Sequence, residues 1–218
     1  MLYNANPSLV IGFHGCDEKT RDKLLTNPNE VKISKEKFDW LGNGMYFWEN
    51  NYKRALQWAK DKQKRGTIEK PSVIGAVLQL NYCCDFLDSE FIDTLNQYYK
   101  LMEAAYASAE LPLPINKDLP SDEHKDKILR ELDCAVIEFM HTEIQRRVKE
   151  DLQAKGYSDY KVFDSVKGVF TEGGKAFVGS GLSAKSHIQI CVRNMNCIKG
   201  FFLPRKEIDF FKYLRIVA

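Results

Sequence analysis

The segment 40–58 constrains the fold of this chain more than any other stretch of its sequence. It holds all three tryptophans, Trp40, Trp48 and Trp58, and it opens with Gly42 and Gly44 around one asparagine. Glycines at this spacing favour a turn with left-handed backbone angles, where the chain can come close to a ligand. The alternating residues that follow predict a short strand, and an Asn-Asn pair then predicts a helix cap. We expect a glycine turn, an aromatic strand and a helix. Either the strand and the helix pack together as part of the hydrophobic core, or an aromatic ring of this segment stacks on a flat ligand ring.

The order of apolar patterns along the 218 residues predicts one α+β domain spanning 1–218. Runs that alternate or are rich in β-branched residues predict strands, and apolar residues three and four apart predict helices. The predicted strands are 8–14, 45–48, 73–80, 161–170, 186–192 and 198–203, and the helices outside the middle of the chain are 18–25, capped by Asp17, and 52–66.

The middle of the chain, about 86–156, predicts a helical hairpin. Two amphipathic helices are expected there, the second running from a cap at Ser121 to Gly156, which is placed to end it. Residues 85–160 carry nine basic and 17 acidic side chains, a net charge of −8. Because strands are predicted on both sides, we expect an insertion in the domain. Its acidic surface suits a basic partner or simply keeps the domain in solution, and in the second case the rest would fold without it.

Several classes of protein are disfavoured by the sequence. The six cysteines include no Cys-x-x-Cys pair, and two of them are adjacent, which does not suit a disulfide framework. The first residues lack the features of a signal peptide, and no apolar run approaches the roughly 20 residues of a membrane span. The four histidines show no metal-ligand spacing. We therefore expect a cytoplasmic protein with reduced thiols, no membrane segment and no metal.

A second motif lies near the start of the chain, where an apolar run ends on His14 and Gly15. A strand ending in His-Gly, followed later by Gly-x-Gly-x-Tyr-Phe, resembles the ADP-ribosyltransferase superfamily of the His-Tyr-Glu type. That superfamily includes diphtheria-toxin-like toxins and the poly(ADP-ribose) polymerases. The resemblance covers residues 9–80 and 160–205. It implies a split β-sheet core carrying the helical hairpin as an insertion, and NAD as the substrate.

The resemblance also implies roles for four residues near the start of the chain. The Gly15 backbone would hydrogen-bond the nicotinamide amide, and His14 would bond the adenosine-side ribose. Tyr46 would stack on the nicotinamide ring. Trp58, which precedes an alanine on the following helix, would supply a second stacking ring or else serve as a core aromatic.

Gln189 departs from the pattern of this superfamily. It opens the late strand at the position where the family has a glutamate that bonds the 2′-hydroxyl of the nicotinamide ribose. A glutamine amide can still accept that hydrogen bond, but it supplies no negative charge, and charge-assisted hydrogen bonds are roughly twice as strong as neutral ones. The departure favours transfer of single ADP-ribose units over synthesis of a polymer.

Two further residues are candidates for contact with the acceptor of the ADP-ribose. His187 lies two residues before Gln189, hence on the same face of the strand, where toxin-type relatives contact the acceptor. Glu172 lies in the glycine-rich stretch 171–181, which precedes this strand. It would act as a general base on the acceptor or would be a solvated loop carboxylate.

The charge of the last part of the chain bears on the nature of the acceptor. Residues 161–206 carry eight basic and two acidic side chains, a net charge of +6. Phe177 and His187 could stack on an exposed base, as the aromatic residues of single-strand binders do. These features favour a base of single-stranded nucleic acid, RNA before DNA, as the acceptor, with a protein as the alternative.

The resemblance implies a mono-ADP-ribosyltransferase of the kind found as the toxin of toxin–antitoxin or phage-defence pairs, with an antitoxin protein as a partner. A binding module that holds NAD or ADP-ribose without turnover is the alternative that Gln189 motivates. An RNA 2′-phosphotransferase shares the fold, but the arginines of this sequence do not form its arginine-rich site. A hydrolase that uses water as the acceptor would release nicotinamide and label no macromolecule.

Overall fold

The computed structural model of the protein describes residues 9–120 and 122–205. Within that part of the chain it contains nine β-strands and four α-helices, and it confirms the predicted α+β class. The strands are β1 (Val10–Asp17), β2 (Met45–Glu49), β3 (Pro71–Leu78), β4 (Cys83–Asp85), β5 (Asn116–Lys117), β6 (Leu129–Arg130), β7 (Ser165–Phe170), β8 (His187–Val192) and β9 (Ile198–Phe202). The helices are α1 (Glu18–Thr26), α2 (Tyr52–Lys64), α3 (Ser89–Ser108) and α4 (Glu131–Lys155).

Seven strands form one sheet in the order β4-β7-β8-β2-β1-β3-β9, while β5 and β6 form a separate two-stranded ribbon. The neighbours in the large sheet are antiparallel, apart from the parallel pair β4 and β7. The adjacent strands β1 and β2 share only two residue pairs, Gly12 with Glu49 and Phe13 with Trp48. By contrast, β1 and β3 share eight. The sheet is therefore divided, because β1 and β2 separate beyond Phe13.

Local signals placed several of the helix ends correctly. The Asp17 carboxylate accepts a hydrogen bond from the Lys19 amide at 3.0 Å and caps α1, and the Asn51 side chain caps α2. Gly156 ends α4 in the left-handed conformation, with φ of 77°. Gly42 has φ of 78°, so the glycine turn before β2 has the backbone geometry that its sequence predicts.

The second helix of the middle segment begins later than its apolar pattern predicts. Ser121 lies outside the described residues, and α4 starts only at Glu131, directly after β6. The side-chain oxygen of Asn116, in β5, accepts a hydrogen bond from the Leu132 amide at 2.9 Å. A free amide at the start of α4 is thus satisfied by a residue from the ribbon, and periodicity alone could not show that.

The α3–α4 pair covers the sheet instead of standing apart from it. Tyr98 of α3 and Met140 and Ile144 of α4 are buried against sheet residues that include Val166 and Cys191. We therefore no longer expect the rest of the chain to fold without these helices. None of the described helices is both long and apolar enough to cross a membrane.

Helix α4 also fixes the glycine turn that precedes β2. The Glu138 carboxylate accepts hydrogen bonds from the backbone amide of Asn43 at 2.8 Å and from its side-chain amide at 2.7 Å. Arg193, just beyond β8, forms an ion pair with the same carboxylate and donates to the Asn43 carbonyl at 3.0 Å. The turn is therefore held between the helical segment and the end of β8.

His141 is a buried group on α4 with an unusual pKa. Its side chain packs edge-on against Phe163 with 5.9 Å between ring centroids, and neither ring nitrogen makes a hydrogen bond within the described protein. Burial, with a smaller contribution from Arg193, lowers the pKa of His141 from 6.5 to about 3. The imidazole is therefore neutral in the folded protein at ordinary pH.

His141 should make the stability of the protein fall in acid. Below pH 6.5 the unfolded chain takes up a proton at this residue, while the folded protein does not until about pH 3, so protonation favours the unfolded state. We expect the wild type to lose about 2 kcal/mol of unfolding free energy relative to His141→Leu between about pH 7 and about pH 5. Urea unfolding followed by circular dichroism measures this difference. The exposed His124→Gln variant is the control, and an equal pH response of all three proteins would contradict the assignment.

Candidate functional site

Gly15 pairs with Val73 of β3 but has no paired residue in β2, because the β1–β2 pairing ends at Phe13. The Ile11 carbonyl accepts a hydrogen bond from the Asn50 amide at 2.9 Å, so the backbone groups of Ile11 face β2. Alternate residues of a strand direct their backbone groups to the same side. The N–H and C=O of Gly15 therefore also face the β2 side, two residues beyond Phe13, where the last β1–β2 pair lies.

Gly15 is also the place where α2 comes closest to the sheet. A Cβ atom added to Gly15 would lie 2.2 Å from the Ala55 carbonyl oxygen and 3.3 Å from Cε3 of Trp58. Only glycine fits at this contact without a shift of α2. The sequence motif thus gives both a β1 position without a paired residue in β2 and the position of Trp58 beside it.

His14 lies on the opposite face of β1 from this contact. Its Nδ1 is 2.8 Å from the Tyr46 carbonyl oxygen, so Nδ1 donates its hydrogen across the gap between the two strands. Burial lowers the pKa of His14, which keeps the ring neutral. His14 borders a pocket of about 190 Å³ that is rich in cationic side chains. The other lining residues are Lys19, Thr20, Lys23, Leu24, Glu30, Lys32 and Met45.

The Tyr46 ring is held under the glycine turn. Its hydroxyl donates to the Gly42 carbonyl at 2.8 Å and accepts from the Leu41 amide at 2.9 Å. Burial raises the pKa of Tyr46 well above its usual value, so the phenol stays protonated. The ring packs with buried residues of the core, among them Leu41 and Cys191, and its position is therefore fixed from both ends.

Trp58 is half-buried beside Trp48. The two rings are 5.5 Å apart and tilted by 56°, and the Lys62 ammonium lies 4.2 Å from the centre of the Trp58 ring. A cation at this distance is attracted by the face of an indole. This arrangement is compatible both with a second stacking ring for a ligand and with a core aromatic.

Gln189 is buried in β8, opposite Trp48 of β2 and Gly168 of β7. Its side-chain oxygen accepts a hydrogen bond from the indole N–H of Trp40 at 2.5 Å. An indole can only donate, so this contact identifies the bonded atom of Gln189 as the oxygen. Trp40 is 149 residues away in sequence, and no local pattern could have revealed its role.

His187 lies on the same face as Gln189, as predicted, but it is not an exposed ring. It is only 6% exposed and stacks on Phe170 with 5.6 Å between ring centroids. The guanidinium of Arg130 lies 4.1 Å from the centre of the Phe170 ring. His187 is therefore covered, and the expectation that it stacks on a nucleic-acid base is wrong for this arrangement.

Glu172 is not the solvated loop carboxylate that was one of its two interpretations. It is 7% exposed and forms an ion pair with Arg54 of α2, whose side chain is also largely buried. The sequence did offer one signal for Arg54, because this residue lies four positions before Trp58 and so shares its helix face.

Phe177 lies apart from these side chains. It is 66% exposed, and Lys175 and Lys185 of the same loop are exposed as well. The loop 171–186 therefore joins buried residues at its two ends, Glu172 and His187, to an exposed tip with basic and apolar side chains.

Several buried polar atoms of this region make no hydrogen bond within the described protein. They are the indole N–H of Trp48, Nε and Nη1 of Arg54, and Nε2 of His187. The His187 ring is 6.2 Å from the Trp48 ring, and Arg54 and Glu172 both influence the charge of His187. Buried polar groups are usually satisfied, so these atoms mark a place where a water molecule or a ligand would find hydrogen-bond partners.

Comparisons of the chain with protein-family models, with curated proteins and with solved structures give no match. Among residues 9–120 and 122–205, no group of three or more His, Cys, Asp and Glu side chains is placed to hold a metal ion.

The ion pair between Arg54 and Glu172 yields a prediction about stability. Removing one partner of a buried pair leaves an uncompensated charge and costs about 3–5 kcal/mol. We expect Arg54→Met to lose unfolding free energy on this scale, and Arg54→Met with Glu172→Leu to recover most of the loss. Denaturant unfolding of the two single variants and the double variant measures the coupling.

The control for this comparison of single and double variants is the ion pair between Lys19 and Glu69, whose side chains are 79% and 76% exposed. Exposed pairs contribute little to stability, so Lys19→Met should leave the free energy of unfolding nearly unchanged. Additive effects of the Arg54 and Glu172 substitutions would show that the pair does not stabilise the fold.

Proposed function

We propose that this protein is a mono-ADP-ribosyltransferase, which cleaves NAD and transfers ADP-ribose to a macromolecular acceptor. The observation that carries the proposal is the end of the β1–β2 pairing before Gly15, which leaves the Gly15 backbone with no paired residue in β2 beside the Trp58 ring. A backbone donor and acceptor next to a flat ring suit the carboxamide and ring of nicotinamide. The divided sheet is compatible with the split core that the sequence resemblance implies, and this supports the proposal.

The proposed path of NAD follows the gap from one face of the sheet to the other. Nicotinamide would lie at Gly15, within reach of the Trp58 and Tyr46 rings. The adenosine-side ribose would lie at His14, where the pocket contains Lys19, Lys23 and Lys32. These cationic side chains suit the phosphates of NAD.

Cleavage of the bond between nicotinamide and ribose passes through an oxocarbenium-like transition state. Gln189 would bond the 2′-hydroxyl of the nicotinamide ribose, and Trp40 would hold its amide in place. Because the amide is neutral, it stabilises the positive transition state less than a carboxylate would. This favours slow transfer of single units. We extend the proposal to a toxin role with an antitoxin protein as a partner.

A binding module without turnover is the second candidate. The Trp40 indole already uses one acceptor site of the Gln189 oxygen, and the residue carries no charge. Both features weaken the case for catalysis without weakening the case for NAD binding. Release of nicotinamide from NAD by the purified protein would exclude this candidate.

Substitution of Gln189 tests the catalytic proposal. We expect Gln189→Ala to reduce nicotinamide release by about tenfold or more while NAD affinity changes little, because the lost bond matters most in the transition state. Gln189→Glu should keep the bond from Trp40, add the missing charge and raise the rate. Chromatography of nicotinamide and calorimetry of NAD binding provide the two measurements.

The exposed Gln153→Ala on α4 serves as the control for this experiment. An unchanged rate in Gln189→Ala would place the catalytic role on another residue. A ladder of polymeric products would also contradict the proposal of single-unit transfer.

We propose single-stranded nucleic acid, RNA before DNA, as the acceptor, with a protein as the alternative. Support comes from the exposed Phe177, Lys175 and Lys185 on the loop that ends at His187. Contacts with phosphates weaken steeply as salt is raised. Transfer of labelled ADP-ribose to purified RNA should therefore fall several-fold between low and physiological salt, and further in Phe177→Ala. Label found only in a protein fraction that resists nuclease would overturn the nucleic-acid proposal.

A further inference from the structure

His187 presents a free basic nitrogen in the buried part of the site. Its Nδ1 lies 2.7 Å from the Lys185 carbonyl oxygen, which can only accept, so Nδ1 carries a hydrogen. In the neutral ring Nε2 is then an unprotonated acceptor. That nitrogen is buried and makes no hydrogen bond within the described protein. Leaving such an atom unsatisfied is unfavourable, and a ligand N–H or O–H would supply the missing hydrogen bond.

The surroundings of His187 keep its ring neutral. Burial is the largest influence and lowers the pKa of His187 below 6.5. The charged groups nearby come from three elements. Arg54 of α2 and Arg130 of β6 lower this pKa, and Glu172, in the loop between β7 and β8, raises it. The backbone contact with the Lys185 carbonyl also raises it, without cancelling the effect of burial. At neutral pH the ring is therefore unprotonated at Nε2.

His187 and Gln189 are neighbours on one face of β8. Two residues apart on one strand face, the two side chains are separated by about 6.8 Å along β8. Trp48 connects them, since it pairs with Gln189 across the sheet and lies 6.2 Å from His187, ring to ring. Gln189, Trp48 and His187 therefore form one continuous group of buried side chains on this face of the sheet.

We propose that His187 is the general base of the transfer step, which deepens the proposed function and rests on it. Nε2 of His187 takes the proton from an acceptor O–H or N–H while that acceptor atom forms a bond to C1 of the nicotinamide-side ribose. The bond between this carbon and the nicotinamide nitrogen breaks, and its electron pair leaves with neutral nicotinamide. The proton on His187 is later released to solvent, so no further reactant is needed.

Glu172 is the competing candidate, and its contacts disfavour it. Its carboxylate is engaged by Arg54, so proton uptake there would break a buried ion pair. Nε of Arg54 and the indole N–H of Trp48 make no hydrogen bond within residues 9–120 and 122–205, so both would be available to donate to an acceptor group. The loop that carries Glu172 leads on to the exposed Phe177, and this connects the proposed base with the surface that would meet a macromolecule.

The pH dependence of the wild type and of His187 variants tests this role. We expect transfer by the wild type to rise with pH through an apparent pKa below 6.5 and then to level off, because His187 must be unprotonated. His187→Gln should remove this limb and lower kcat by about 10²–10⁴-fold, the usual contribution of a general base, with NAD affinity within about threefold of wild type. Added imidazole should restore part of the rate to His187→Ala. The exposed His124→Gln should keep the wild-type profile.

Each other outcome has a distinct meaning. A His187→Gln variant that keeps the wild-type rate and acid limb would overturn the role of His187 and leave the proposed function intact. A variant that loses NAD binding together with activity, without rescue of His187→Ala by imidazole, would show a structural role instead. A wild-type protein that releases no nicotinamide at any pH would overturn the proposed function, and this inference with it.

Discussion

The contact between Gly15 and α2 determines how the rest of the site is arranged. With no side chain at this position, the Ala55 carbonyl can approach β1 so closely that a Cβ atom would overlap it at 2.2 Å. This approach fixes α2, and with it Arg54 and Trp58, against one face of the sheet. The pairing of β1 with β2 ends just before this glycine, while the pairing with β3 continues. The close approach of α2 and the end of the β2 pairing thus meet at one residue.

The acidic helical segment contributes to the site as well as to the core. Glu138 of α4 holds Asn43 in the glycine turn, and Arg130, just before α4, lies over the rings of Trp40 and Phe170. These contacts link the segment to Gln189 through Trp40 and to His187 through Phe170. Its negative surface charge therefore says little about its role, which depends on the few residues that face inward.

Features set by neighbours along the chain could be predicted from the sequence. The caps Asp17 and Asn51, the left-handed Gly42 and the stop at Gly156 depend on contacts within a few residues, and the structure confirms them. The common face of His187 and Gln189 followed from strand periodicity in the same way.

Features set by distant partners could not be predicted. Trp40 meets Gln189 across 149 positions, and Arg54 meets Glu172 across 118. The burial of His187 and Glu172 follows from these tertiary contacts, so a sequence pattern alone presented both as accessible. The start of α4 was missed for the same reason, because the hydrogen bond from its Leu132 amide goes to Asn116 of the ribbon.

The clustering of the tryptophans has an optical consequence. All three indoles lie in the segment 40–58, and each contacts the site: Trp40 at Gln189, Trp48 at His187 and Trp58 at Gly15. The tryptophan fluorescence of the protein, excited at wavelengths where tyrosine does not absorb, therefore originates at one place. With Trp48 and Trp58 only 5.5 Å apart, their excited states should couple and transfer energy efficiently. A molecule that enters the gap would change the emission of the entire chain, so the protein carries a built-in reporter of occupancy that needs no label.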